Sequence, residues 1–207
     1  MVAKLIQYWN IQRGRPEEFN SFFMKDFVPK INETGLMKIV GAWQVASGEG
    51  PYFITEGVSR SLKEVENLIM GPGFLELHQQ LLCLVDDYAT KLLVPTGAVE
   101  PQPPDIEHGY KFTQHFNINA ADYYEFITFQ EHELLPRMSD FGIELIGEWN
   151  VAVGSTPYVI VEGRAEQLAA IGEMLESPEY QRMILKLLGM VTSYGCKVLT
   201  PTGQINK

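Results

Sequence analysis

No stretch of this sequence approaches the run of about 18 apolar residues that a membrane-crossing helix requires. Basic clusters are missing too: the formal net charge is −10 with no positive run to offset it, which argues against nucleic acid as a partner. There are only two cysteines, Cys83 and Cys196, which make no Cys-x-x-Cys pair and read as free, buried thiols. The chain has no Gly-rich phosphate loop and no Gly-x-Ser-x-Gly elbow, so nucleotide-dependent chemistry and serine hydrolysis lack support. Glu131-His132-Glu133 is followed by no second histidine at ligand spacing, and no metal is expected. Met1-Val2-Ala3-Lys4 runs straight into a strand-like segment without a signal-peptide layout, so the expected location is the cytoplasm, away from membranes.

What is present is a repeat. Asn10-Ile11 returns as Asn117-Ile118, and Phe19-x-x-Phe22 as Phe126-x-x-Phe129. Pro29 and Gly35 return as Pro136 and Gly142 at the same spacing. After the loss of one residue, Gly41-x-Trp43 matches Gly147-x-Trp149, and Pro51-Tyr52-x-Ile54-x-Glu56-Gly57 matches Pro157-Tyr158-x-Ile160-x-Glu162-Gly163. Pro95-Thr96-Gly97 reappears as Pro201-Thr202-Gly203. Collinear matches of this length mark a tandem duplication. The expected division is residues 1–98, a proline-rich linker at 99–107, and residues 108–207.

Each copy reads as strand, helix, strand, strand, helix, strand. Residues 4–11 alternate around Leu5, Trp9 and Ile11, whereas Phe19, Phe22, Phe23, Phe27 and Ile31 recur at helical spacing. Pro29 and Pro136 should kink or end that helix, because proline removes a backbone donor. Ser61-x-x-Glu64 is a capping box, and Ser177-Pro178-Glu179 caps the last helix. The buried stripes predicted for the closing helices are Phe74, Leu77, Leu81 and Val85, and Tyr180, Met183, Leu187 and Val191. The fold class is therefore α+β: two ferredoxin-like βαββαβ repeats, each an antiparallel sheet with helices on one face. The two bare faces can be covered by closing around a shared interior as a pseudo-dimeric α/β barrel, either monomeric or further assembled.

The segments Phe27-Val28-Pro29, Gly35 and Gly41-Ala42-Trp43, with Leu134-Leu135-Pro136, Gly142 and Gly147-Glu148-Trp149, resemble the dimeric α/β-barrel superfamily. That group includes NIPSNAP-like proteins and antibiotic-biosynthesis-type monooxygenases. Ser177-Pro178-Glu179-Tyr180 and Leu199-Thr200-Pro201 resemble its closing helix and strand. The resemblance spans both copies and implies the fold more strongly than an activity. In haem-degrading members an Asn on the first strand and a His four residues after an aromatic serve the haem. Asn10 and the His78 of Phe74-x-x-x-His78 occupy those places here. Leu68 stands where those enzymes carry Trp, and Ile184 replaces the histidine in the second copy, so no cofactor, haem included, is expected.

Strand alternation sorts side chains onto two faces. The faces turned from the helices carry Tyr8, Asn10, Tyr52 and Glu56 in the first copy. In the second they carry His115, Asn117, Tyr158, Glu162 and Arg164. Around an apolar interior these groups could bind a small phenolic or carbonyl ligand, with His115 the candidate catalytic base because its counterpart is Tyr8. Equally, the two glutamates could face solvent or pair structurally with Lys91 and Lys197. Two functions follow: a cofactor-independent monooxygenase or isomerase on an aromatic or polyketide-like substrate, or a non-enzymatic NIPSNAP-like interaction protein. An interior cavity reaching His115 favours the first and a filled interior the second.

Overall fold

The computed structural model describes residues 2–102, 109–203 and 205; the linker expected at 99–107 lies partly outside the described residues. Its strands are β1 (Ala3–Ile11), β2 (Lys38–Ser47), β3 (Phe53–Ser59) and β4 (Val85–Pro95), followed by β5 (Tyr110–Ile118), β6 (Glu144–Val153), β7 (Val159–Ala165) and β8 (Val191–Pro201). They close into one barrel in the order β1-β3-β2-β8-β5-β7-β6-β4, every neighbouring pair antiparallel. Each half supplies a four-stranded sheet, and the seams are β2 with β8 and β4 with β6. At the seams Pro95 pairs with Trp149 and Pro201 with Trp43, so the repeated Pro-Thr-Gly segments end the strands where the halves meet. Closure satisfies the backbone groups that a free sheet edge would leave unpaired.

Helices cover the outside. Before β2 run α1 (Pro16–Phe22) and α2 (Val28–Glu33), and between β3 and β4 run α3 (Leu62–Ile69) and α4 (Pro72–Leu82). The second half repeats them as α5 (Tyr123–Phe129), α6 (Leu135–Asp140), α7 (Leu168–Glu176) and α8 (Pro178–Leu188). Pro29 and Pro136 do not end their helices, because a π-helical turn, Phe23–Phe27 or Gln130–Leu134, immediately precedes each short segment that carries them. The Val28 amide reaches back to the Phe23 carbonyl and that of Leu135 to Gln130, a wider turn that absorbs the missing proline donor. Val85 and Val191, expected at the ends of helical stripes, instead begin β4 and β8. Ser61 caps α3 by accepting from the Glu64 amide, as its sequence pattern requires.

Three apolar clusters result. One lies between the first sheet and its helices around Trp9, which contacts Phe19, Phe23, Phe27, Phe53 and Tyr88. The second is its counterpart around Phe112, Phe116 and Phe126. The third lies inside the barrel: Ile6, Trp43, Ile54, Leu93, Trp149, Ile160 and Leu199. The cysteines do not join them fully. Cys83 is exposed because it caps the C-terminus of α4, and Cys196 is half-buried.

Candidate functional site

The waist of the barrel holds four charges. Lys4 on β1 and Lys111 on β5 point inward with Glu56 on β3 and Glu162 on β7, all four buried. Lys4 Nζ lies 2.5 Å from Glu162 Oε2 and 3.5 Å from Glu56 Oε2; Lys111 Nζ lies 2.6 Å from Glu56 Oε2 and 3.3 Å from Glu162 Oε1. The Trp149 indole donates to Glu162 Oε2 at 2.7 Å. Each ammonium also faces an indole of the opposite half, Lys4 at 4.8 Å from the Trp149 ring and Lys111 at 5.1 Å from that of Trp43. Gly41 and Gly147 make room for these rings, since a Cβ at either position would run into the indole. Burial alone would raise the Glu162 carboxyl, but Lys111 and Lys4, with the hydrogen bonds from Lys4 and Trp149, bring it down to about 2. Burial would lower Lys4, yet Glu162 and Glu56 outweigh it and hold the ammonium above its ordinary value.

Lys4 and Lys111 were not picked out from the sequence, and the alternative pairing of Glu56 and Glu162 with Lys91 and Lys197 is corrected by these distances. The signal was present: the two lysines are equivalent in the repeat, on the face shared with Tyr8 and His115.

The waist divides the interior. At one end is a chamber of 270 Å³ whose walls include Ile6, Tyr8, Ile54, Thr113, His115, Ile160, Lys91 and Lys197, with Glu56 and Glu162 as its floor. The loops at Glu49–Pro51 and Ser155–Pro157 form its rim. At the other end a 210 Å³ chamber lies against Trp43, Trp149, Val40, Val58 and Ile146, with Arg164, Pro101 and Gln102 also on its wall. Arg164 is paired there with Glu144 at 2.6 Å. A larger cleft of 640 Å³ beside α7 lies outside the barrel against Glu144, Glu166 and Glu173, away from His115.

In the first chamber the His115 imidazole lies over Gly195, its partner on β8, where a Cβ would overlap the ring. Burial first, then Lys197 and Lys91, depress the imidazole to about 4, so it is neutral near pH 7. Burial, and then Glu56 and Glu162, hold the Tyr8 phenol well above its ordinary value, leaving it a hydrogen-bond donor.

The remaining candidates fall elsewhere. Asn10 and Asn117 are not on the chamber wall; beside them β4 and β8 bulge, at Asp87 and Ser193, both with positive φ. Asn10 donates to Asp87 Oδ2 at 2.8 Å and accepts from the Tyr52 amide at 2.8 Å; Asn117 likewise accepts from the Tyr158 amide. Tyr52 and Tyr158 are 60% and 51% exposed, which removes both from the chamber wall. His78 lies outside the barrel on α4, packed 5.9 Å from the Phe74 ring and 4.7 Å from that of Tyr88. Asn10 is engaged by Asp87 and the Tyr52 amide and is not free for a haem-bound ligand, whereas His78 Nε2 is buried with no hydrogen-bond partner among the described residues.

A closed barrel of two antiparallel ferredoxin-like sheets with helices outside is the dimeric α/β-barrel fold, here made by one chain. Solved structures share it. A candidate monooxygenase from Lactobacillus acidophilus is 16% identical and superposes with a TM-score of 0.62 over 97% of this chain and 93% of its own. An anthrone oxidase-like protein, 11% identical, gives 0.57 over 98% and 93%. A chlorite dismutase variant from Candidatus Nitrospira defluvii, 9% identical, gives 0.61 over 99% and 93%. At these identities the likeness is one of fold. No protein-family profile and no curated protein matches the sequence.

Proposed function

We propose that this protein is a cytoplasmic, cofactor-independent enzyme, a monooxygenase or isomerase, that binds an ionisable aromatic or polyketide-like substrate in the 270 Å³ chamber. The observation that carries this reading is the convergence of a neutral imidazole and a protonated phenol on one cavity whose wall is apolar at Ile6, Ile54, Ile160 and Leu199. His115 takes the proton of a phenol or an enolisable carbon, and Tyr8 donates a hydrogen bond to the oxygen on which charge develops. Enclosure by the barrel limits water around that charge. Monooxygenase and anthrone oxidase-like proteins share this fold, in keeping with an oxygenase, and chlorite dismutases share it as well.

An interaction protein of NIPSNAP-like type would need an interior filled throughout; here side chains fill the waist and leave a chamber at either end. The test is oxygen uptake with anthrone as substrate. The wild-type protein should accelerate the reaction over buffer, and His115→Gln should lose about 100-fold or more of that acceleration. No acceleration by the wild type would overturn the oxygenase reading.

A further inference from the structure

Two lysines in the first chamber have no role in the waist. Lys91 on β4 and Lys197 on β8 come from opposite halves, and both are half-buried. Each reaches across to the other half's rim loop: Lys91 Nζ donates to the Pro157 carbonyl at 3.1 Å, and Lys197 Nζ to the Glu49 and Gly50 carbonyls. Among the described residues, neither ammonium has a carboxylate at ion-pair distance. The two glutamates on the chamber floor are already engaged by Lys4 and Lys111. Glu49, on the rim, lends Lys197 a favourable charge interaction but meets it through its backbone carbonyl. The waist is balanced, two positive charges against two negative, so the chamber wall carries an uncompensated positive pair. That is unusual for a chain of net charge −10. Two like charges held near one another in a partly dry cavity repel, and an anion between them removes the repulsion.

We propose that Lys91 and Lys197 form an anion site in the chamber, and that the molecule taken there is a small aromatic carboxylate or the anion of an acidic phenol. This rests on the chamber being a ligand site and names the class of ligand. It also accounts for His115. An imidazole held near 4 by burial and two lysines is a weak base at neutral pH, and a bound anion offsets those lysines. The charged or titratable groups around the ring are Tyr8, Glu56, Lys91, Glu162, Lys197 and the rim residue Glu49. Of these, the lysines are the ones whose field a bound anion cancels directly. A cavity of this volume suits one substituted ring, given that an apolar cavity of about 150 Å³ holds benzene.

The experiment compares benzoate with benzamide, equal in shape and different in charge, on the full chain. Affinity is measured by calorimetry, and the His115 imidazole is followed by NMR, its resonance assigned with His115→Gln. Benzoate should bind at least tenfold more tightly than benzamide and raise the His115 pKa by about one unit. Lys91→Met and Lys197→Met, which keep the apolar stems, should each lose about tenfold for benzoate and change benzamide binding little. Equal binding of the two probes, with the His115 resonance perturbed by both, would overturn the anion site and leave the chamber as a ligand site. Binding of neither, or binding that leaves His115 unmoved, would overturn both. Should the lysine variants fail to fold, the wild-type preference and the His115 titration decide alone.

Discussion

At the scale of single residues, buried charge dominates. Glu162 is held by Lys4, Lys111 and the Trp149 indole, so removing its carboxylate leaves two ammonium groups with one carboxylate in the barrel waist. Glu162→Ala should destabilise the protein by about 3–5 kcal/mol, read from denaturant unfolding. Because this carboxyl is depressed to about 2, its stabilising contribution is complete above its unfolded value near 4.5 and is lost as pH falls from there toward 2. His115 acts in the same direction at somewhat higher pH. Its folded value, about 4, lies below its unfolded value of 6.5, so the unfolded chain gains the proton first and stability drops as pH falls across that interval. In His115→Gln that part of the acid-side loss should vanish, which unfolding midpoints at pH 7 and pH 4.5 will show. An identical loss in the variant would mean that the ring is not held neutral by its surroundings.

Elements decide which residues reach the site. The bare strand face was legible from alternation as far as Tyr8, Ile54, Glu56, His115, Ile160 and Glu162, all of which point inward. It failed for Tyr52 and Tyr158, which stand one residue before β3 and β7, and for Asn10 and Asn117, which lie near strand ends beside bulges at Asp87 and Ser193. Neither residue is a glycine, so the sequence offered no cue to positive φ there. Lys4 and Lys111 went unread for a different reason: a lysine near the start of a strand looks like a solvated end, and only barrel closure brings up the other half's carboxylate, the nearer partner of each. The strand pairing also fixes the imidazole. With His115 seated over Gly195, Gly195→Val should push the ring from its place and weaken ligand binding in the chamber by about tenfold, while the antiparallel ladder survives. Calorimetry against the folded variant, checked by far-ultraviolet circular dichroism, measures this; unchanged affinity would separate ring position from binding.

Across the whole molecule, the halves are bound twice over, by the β2–β8 and β4–β6 seams and by ion pairs joining Lys4 to Glu162 and Lys111 to Glu56. Neither sheet can open without exposing both. Guanidinium unfolding should therefore follow a single transition, with far-ultraviolet circular dichroism and tryptophan fluorescence coincident. Two separated midpoints would mean that the repeats fold independently. The charged waist also governs traffic. A bead of four locked side chains bars the tunnel, so nothing entering beside His115 can leave through the far mouth. Any ligand of that chamber must come and go by the same doorway, and a slow-departing one would hold out the next arrival.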